Sequence, residues 1–385
     1  MWLSGGAGTG KTTIAHTIAN RLMKAPQVLL SSFFFPSRFD HTRNSTASLA
    51  PTIAYQLCTR SPILCKSISN AIDNDQDIFT RSLTSQFQSL IVDPLHDFAT
   101  VGLLTSPALI VIDGLDEFID QGPLPELVDL LTTSVTKRYM VARVLVLSRT
   151  NSTIGDILTA LASRKKVSQL PLEIFYPAKD IKRYLADNLA RLKAKHTTTG
   201  TWPSGDVDIL DTMFKKSSGM FIYATTAIDY LDSESPSLGP YSQRLRNLLS
   251  IQAPITRGPF KELDSLYSYI VLSVKNVDTV LSTVRFSCHY PDLSFDQIRH
   301  VLGVDMDTMQ DLLPPLGGLV TLRPSHGTTA IRFHSSFAEY LLDHERSQAL
   351  FTDFGLDQAQ YLTRFLHALS GEHITEIIFS YLILN

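Results

Sequence analysis

The chain has 385 residues, with 34 Lys+Arg against 37 Asp+Glu and a formal net charge of -3. A composition that is 44% hydrophobic and 18% charged is that of a globular chain able to bury a sizeable core, and its near-neutral balance argues against a whole-chain electrostatic grip on nucleic acid. No apolar run reaches the roughly 18 residues that a membrane-spanning helix needs, and no secretory signal follows Met1, so the expected setting is the cytoplasm.

The length predicts two or three domains. Cys58, Cys65 and Cys288 form no CxxC pair and read as buried free thiols. Met1, Trp2 and Leu3 leave room for only a very short first strand, which is expected to pair poorly and points to a truncated chain or a fragment. Ile14, Ile18, Ala19 and Leu22 then recur at helical spacing. Val28–Phe35 is a β-rich run, and Leu49, Ile53, Ala54 and Leu57 mark a second helix. Ala108–Ile112 and Arg143–Ser148 read as strands buried on both faces. A helix is expected over Leu124–Ser134, and a further strand within Val167–Leu172.

This alternation predicts an α/β domain over 1–175, a parallel sheet with helices on both faces. From 176 to 262 the signals are mostly helical. Stripes at Ile181, Leu185 and Leu189, and at Ile209, Leu210, Met213 and Phe214, define two of the helices. Breaks fall at Ser233–Pro240 and Pro254–Pro259. From 263 to 345, helical patterns lead into Leu319–Leu322 and Ala330–Phe333, read as a hairpin across Ser325–Gly327 and followed by a helix from Ser335. Helices and then a two-stranded wing suggest a winged-helix-like domain. A helical tail is expected over 346–385.

Three segments carry chemistry. Gly5-Gly6-Ala7-Gly8-Thr9-Gly10-Lys11-Thr12 matches GxxxxGK[ST] in full. Its glycines let backbone amides turn toward phosphate oxygens, and the helix that follows, through Thr13, adds its positive end. Lys11 is expected to reach the β- and γ-phosphates and Thr12 to hold Mg²⁺. In Val111-Ile-Asp113-Gly-Leu-Asp116-Glu117 a buried strand ends in carboxylates, at the tip of a strand expected to neighbour the first. Asp113 is assigned to the Mg²⁺ sphere and Glu117 to the attacking water, with Asp116 as substitute. Arg149, at the end of a third strand, is placed either on the γ-phosphate or in a carboxylate pair. His334 is either a phosphate donor at a domain edge or a structural histidine. Arg38, Lys165-Lys166 and Lys215-Lys216 read as solvated.

These segments, with Phe33-Phe-Phe-Pro-Ser-Arg38, Thr52–Leu57, Ser218–Ala224 and Phe333–Leu341, resemble the NACHT domains of fungal NOD-like proteins, of nephrocystin-like type, within the STAND class of signalling NTPases. The resemblance covers nearly the whole chain. It implies a switch held with ADP, opened by exchange for ATP, oligomerising when active and reset by slow hydrolysis. Lys11, Thr12, Asp113 and Glu117 match the core motifs, Arg149 the sensor arginine and His334 the winged-helix histidine. The effector and repeat domains that usually flank such a core are not seen in this chain.

A small-molecule kinase and a non-hydrolysing nucleotide scaffold are the competing readings. Asp296, Asp305, Asp307, Asp311 and Glu339 leave the wing region no basic face for DNA. The chain has no NKxD motif, which favours ATP over GTP.

Overall fold

The computed structural model describes residues 1–25, 28–35, 46–103, 108–117, 124–132, 142–175, 178–198, 208–235, 238–253, 258–274, 276–289, 294–325 and 328–351. Two compact units emerge, Met1–Tyr176 and Pro177–Asn385.

The first unit is built on β1 (Trp2–Ser4), β2 (Leu30–Phe34), β3 (Ala108–Asp113), β4 (Ala142–Ser148) and β5 (Gln169–Pro171). They form one sheet in the order β2-β3-β4-β1-β5, and every pairing is parallel. Its helices are α1 (Lys11–Met23), α2 (Leu49–Arg60), α3 (Pro62–Asn74), α4 (Leu83–Phe87), α5 (Asp93–Thr100), α6 (Leu124–Asp129) and α7 (Thr153–Ser163). The expected helix over Leu124–Ser134 is thus α6, and Ser134 falls outside the described residues, as does Arg38.

Strand residues alternate between two cores, as a period of two requires. Trp2, Ile110, Ile112, Val144 and Val146 pack with residues of α2, α3 and α5 to α7 on one face. Leu3, Val111, Leu145 and Leu147 pack with Ala15 and Ala19 of α1 on the other. With both faces covered, the middles of β3 and β4, Ala108–Ile112 and Val144–Leu147, are apolar without a break.

The first strand departs from expectation. Short as it is, β1 lies inside the sheet, with β4 on one side and β5 on the other. Trp2 anchors it, fully buried and donating its indole N–H to the Ser148 hydroxyl at 2.8 Å. Burying an indole with its donor satisfied compensates for the small number of rungs. The expected adjacency of β1 and β3 also fails, because β4 is inserted between them.

The second unit contains α8 (Ala178–Thr198), α9 (Ile209–Ser217), α10 (Phe221–Asp232), α11 (Tyr241–Ser250), α12 (Lys261–Leu272), α13 (Val277–His289), α14 (Phe295–Leu302) and α15 (Met306–Leu316). The antiparallel pair β6 (Val320–Ser325) and β7 (Thr328–Phe333) follows, then α16 (Ser335–Leu341) and α17 (His344–Ser347). Local signals fix these bounds. Ser294 and Gln297 form a reciprocal capping box on α14, and Gly303 ends it at φ 66°. The packing joins both stretches distinguished in the sequence, since α10 lies against α12. The residues between β6 and β7, and those beyond Phe351, lie outside the described set.

Three surface expectations meet mixed outcomes. Lys165 and Lys166 are exposed. Lys216 is not a solvated helix end: its ammonium bonds the Ile251 carbonyl and lies 3.8 Å from Glu262. Cys58 and Cys65 are free but only half-buried, and the Cys288 side chain is outside the described residues. Burial and the Cys65 thiol push the Cys58 thiol up to about 11. No helix among the described residues is long and apolar enough to cross a membrane.

Candidate phosphate-binding site

The site lies at the carboxyl edge of the first sheet. β1 ends at Ser4, and Gly5–Gly10 carry the chain over to the start of α1. Gly8 and Gly10 have φ of 71° and 92°, a region that side chains disfavour. Gly10 occupies the N-cap position with no side-chain cap, and no acidic residue stands in the first turn of α1. The amides of Lys11, Thr12 and Thr13 therefore begin a helix whose positive end carries no built-in anion. A Cβ added at Gly10 would meet nothing within 4 Å. These features fit a phosphate group.

Lys11 donates to the Gly5 and Gly6 carbonyls, at 2.8 Å each, and so closes the loop on itself. Thr9 adds a hydroxyl bond to Gly6 O at 2.9 Å. Burial lowers the Lys11 pKa; Asp116, Asp113 and Glu117 counter that effect, and Arg149 adds to it. All four charged groups are thus within electrostatic reach of the lysine.

Asp113 is the last residue of β3 and is 4% exposed. Burial raises its pKa, opposed first by a hydrogen bond from the Thr12 side chain and then by Lys11. Thr12 and Asp113 are therefore in contact, although β4 separates their strands. One hydroxyl and one carboxylate is a donor set that Mg²⁺ uses when substrate phosphates complete its shell. Among the described residues no group of three or more His, Cys, Asp or Glu is placed to hold a metal alone.

After Asp113 the chain turns sharply. Gly114 has φ 76°, and a Cβ there would stand 3.0 Å from the Phe35 carbonyl. The turn, closed by Glu117 N–H to Gly114 O at 2.9 Å, brings Asp116 and Glu117 back toward the end of β4. There Arg149 forks onto both, with Nε 3.0 Å from Asp116 and Nη2 3.0 Å from Glu117. The three side chains are 16%, 5% and 12% exposed, so the cluster is mostly out of water. The structure thus brings together Lys11, Thr12, Asp113, Asp116, Glu117 and Arg149. It also realises the carboxylate pairing that the sequence left open for Arg149.

His334 belongs to the second unit. Its Nδ1 accepts the Ser336 amide at 3.3 Å and lies 2.8 Å from the Ser336 hydroxyl, capping α16. Ser336 in turn meets Tyr267 at 2.8 Å. This is a structural role of the kind the sequence allowed.

One site residue escaped the sequence. Glu173, just after β5, accepts the Gly6 amide at 3.2 Å. No motif marks it, and its partner is 167 positions away in the chain.

A phosphate loop after an interior strand of a parallel sheet, with an aspartate and glutamate following a second strand and an arginine following a third, defines the P-loop NTPase fold. Residues 1–149 match the family model described as nephrocystin 3, N-terminal. Over 361 residues the chain is 23% identical to vegetative incompatibility protein HET-E-1 of Podospora anserina, an alignment covering 89% of this chain and 24% of that protein. The chain therefore spans less than a quarter of that relative's length. Together the two matches support a nephrocystin-like, NACHT-type protein.

Proposed function

We propose that this chain is a slow nucleotide-driven switch that binds ATP or ADP with Mg²⁺ in the cytoplasm. Exchange of ADP for ATP opens it and promotes self-association in signalling of the innate-immune type, and slow hydrolysis resets it.

The observation that carries this reading is the contact set around Lys11 and Arg149. The loop residues Gly5–Thr13 bind phosphate through backbone amides, and Lys11 leaves the Gly5 and Gly6 carbonyls for phosphate oxygens. Thr12 and Asp113 are the residues to hold Mg²⁺, which when bound neutralises charge on the β- and γ-phosphates. Glu117 orients and deprotonates water, with Asp116 beside it. Arg149 currently engages both acids, so Glu117 can swing toward a substrate water only once Arg149 moves to another anion. A base that must first be released suits a timer better than a metabolic enzyme.

The test is nucleotide retention and phosphate release by the full chain. Lys11→Ala is expected to abolish retention. Glu117→Gln is expected to keep ATP bound while lowering phosphate release about 100-fold. Retention unaffected by Lys11→Ala overturns the reading. Phosphate release unaffected by Glu117→Gln shows that Glu117 is not the base, and retention with no release by wild type favours the second reading, a nucleotide-binding scaffold in which Arg149 holds Glu117 permanently.

A further inference from the structure

The pairing of β1 with β5 does not stop where the strands stop. Ser4 faces Pro171 in the last rung, and Gln169 donates to the Ser4 hydroxyl at 3.0 Å. Beyond them, a Cβ at Gly5 would lie 3.3 Å from Leu172, and the Gly6 amide reaches the Glu173 carboxylate. A turn over Leu172–Phe175 thus buttresses the phosphate loop from the β5 side.

A carboxylate there is electrostatically out of place. The loop is suited to polyanions, and an exposed acid beside it repels them. Beyond the Gly6 amide it already accepts, the carboxylate becomes favourable beside a bound polyanion when the ligand brings hydrogen-bond donors to this side. The Mg²⁺ and base residues Asp113, Asp116 and Glu117 follow β3, and Arg149 follows β4, whereas Glu173 follows β5. With β1 between β4 and β5, the two groups of residues flank the loop on opposite sides. A triphosphate whose metal-bound end faces Asp113 therefore leads its nucleoside end toward β5. The donors closest to the phosphates at that end are the ribose hydroxyls, the amino group of the base lying farther out. A carboxylate has about four acceptor sites, and the Gly6 bond uses one of them.

We propose that Glu173 is the ribose-recognition residue of this site, accepting the 2′- and 3′-hydroxyls of the bound nucleotide while it holds Gly6. The assignment rests on the nucleotide-binding reading above. Ile174 and Phe175 follow on the same turn, 61% and 59% exposed, and give it apolar surface of the kind a nucleobase covers.

The experiment measures binding of ATP, 2′,3′-dideoxy-ATP and inorganic tripolyphosphate to the full chain, as wild type, Glu173→Ala, Glu173→Gln and Lys11→Ala. The wild type is expected to prefer ATP over the dideoxy nucleotide about tenfold, the worth of one to two net hydrogen bonds. Glu173→Ala is expected to erase that preference with tripolyphosphate affinity unchanged, and Glu173→Gln to keep part of it. Equal binding of the two nucleotides by wild type overturns the proposal. So does a Glu173→Ala variant that weakens tripolyphosphate as much as ATP, which would make Glu173 a loop buttress only. Tighter tripolyphosphate binding by that variant overturns it too, by making Glu173 a stand-in for phosphate. Lys11→Ala separates the two readings: if it leaves ATP binding intact, the nucleotide site itself is wrong, whereas failure at Glu173 alone leaves that site standing.

Discussion

The Nη2 atom of Arg149 lies 3.0 Å from Oε1 of Glu117, at the point where the ends of β3 and β4 converge. The glutamate reaches this position through the tight turn at Gly114, and the arginine through the end of a buried strand. Since Nε of the same guanidinium holds Asp116, one planar cation fixes two acids.

Removing that cation should cost stability in the nucleotide-free protein. Asp116 is 5% exposed, and Arg149→Ala leaves it without this partner. The expected loss is about 2 kcal/mol, the scale of stranding a buried charged group. Arg149→Lys should recover only part of it, because an ammonium cannot fork. Urea unfolding checks both variants. A loss below about 0.5 kcal/mol would place the cluster with ordinary surface ion pairs.

A second prediction concerns the sheet edge. β2 is an outermost strand, and the Gln56 side chain of α2 serves it as an extra rung: Oε1 accepts the Ser32 amide at 2.7 Å, and Nε2 donates to the Ser32 carbonyl at 2.9 Å. Gln56→Ala bares both groups. The expected cost is about 1–2 kcal/mol, together with faster aggregation as the edge becomes available for pairing. Chemical denaturation and light scattering measure the two effects. Unchanged scattering would show that another element protects this edge.

The third is a pH effect in the second unit. Burial raises the phenols of Tyr223, Tyr230, Tyr267 and Tyr340, and that of Tyr241 to about 12. In the unfolded chain each titrates near pH about 10. Above that value the unfolded chain sheds protons that the folded chain keeps, so stability falls as pH rises through the window between the two values. Each phenol weakens the fold by about 1.4 kcal/mol per pH unit there. Tyrosinate absorbance should therefore rise together with loss of helical circular dichroism. Independent titration near pH 10 with the helices intact would contradict the burial of these rings.

The local parts of the fold were legible because local rules set them. Ala108–Ile112 and Val144–Leu147 are apolar throughout because helices cover both faces, and that leaves a direct trace in sequence. The glycine-rich loop is equally visible, since its backbone demands residues without a Cβ. Strand order is not local, so nothing in the runs themselves shows β4 entering between β1 and β3. Length alone marks the three-residue β1 as weak, because a strand's own residues show only its own rungs. In fact Trp2 and two flanking strands hold it. Lys216 looked solvated because its lysine neighbour and helix-end position say so, while its partners Ile251 and Glu262 arrive from distant segments. Glu173 was missed for the same reason.

The position of β1 also constrains the order in which the first unit assembles. The strand that leads into the phosphate loop is made well before either of its partners, 142–148 and 169–171. Until then Trp2 has no hydroxyl to receive its N–H and no sheet to enter. Such long-range closure is slow, and the early segments stay exposed while they wait. A nascent chain halted before residue 142 should thus be bound by chaperones and digested by protease, and only emergence of the last strand should lock the loop into shape.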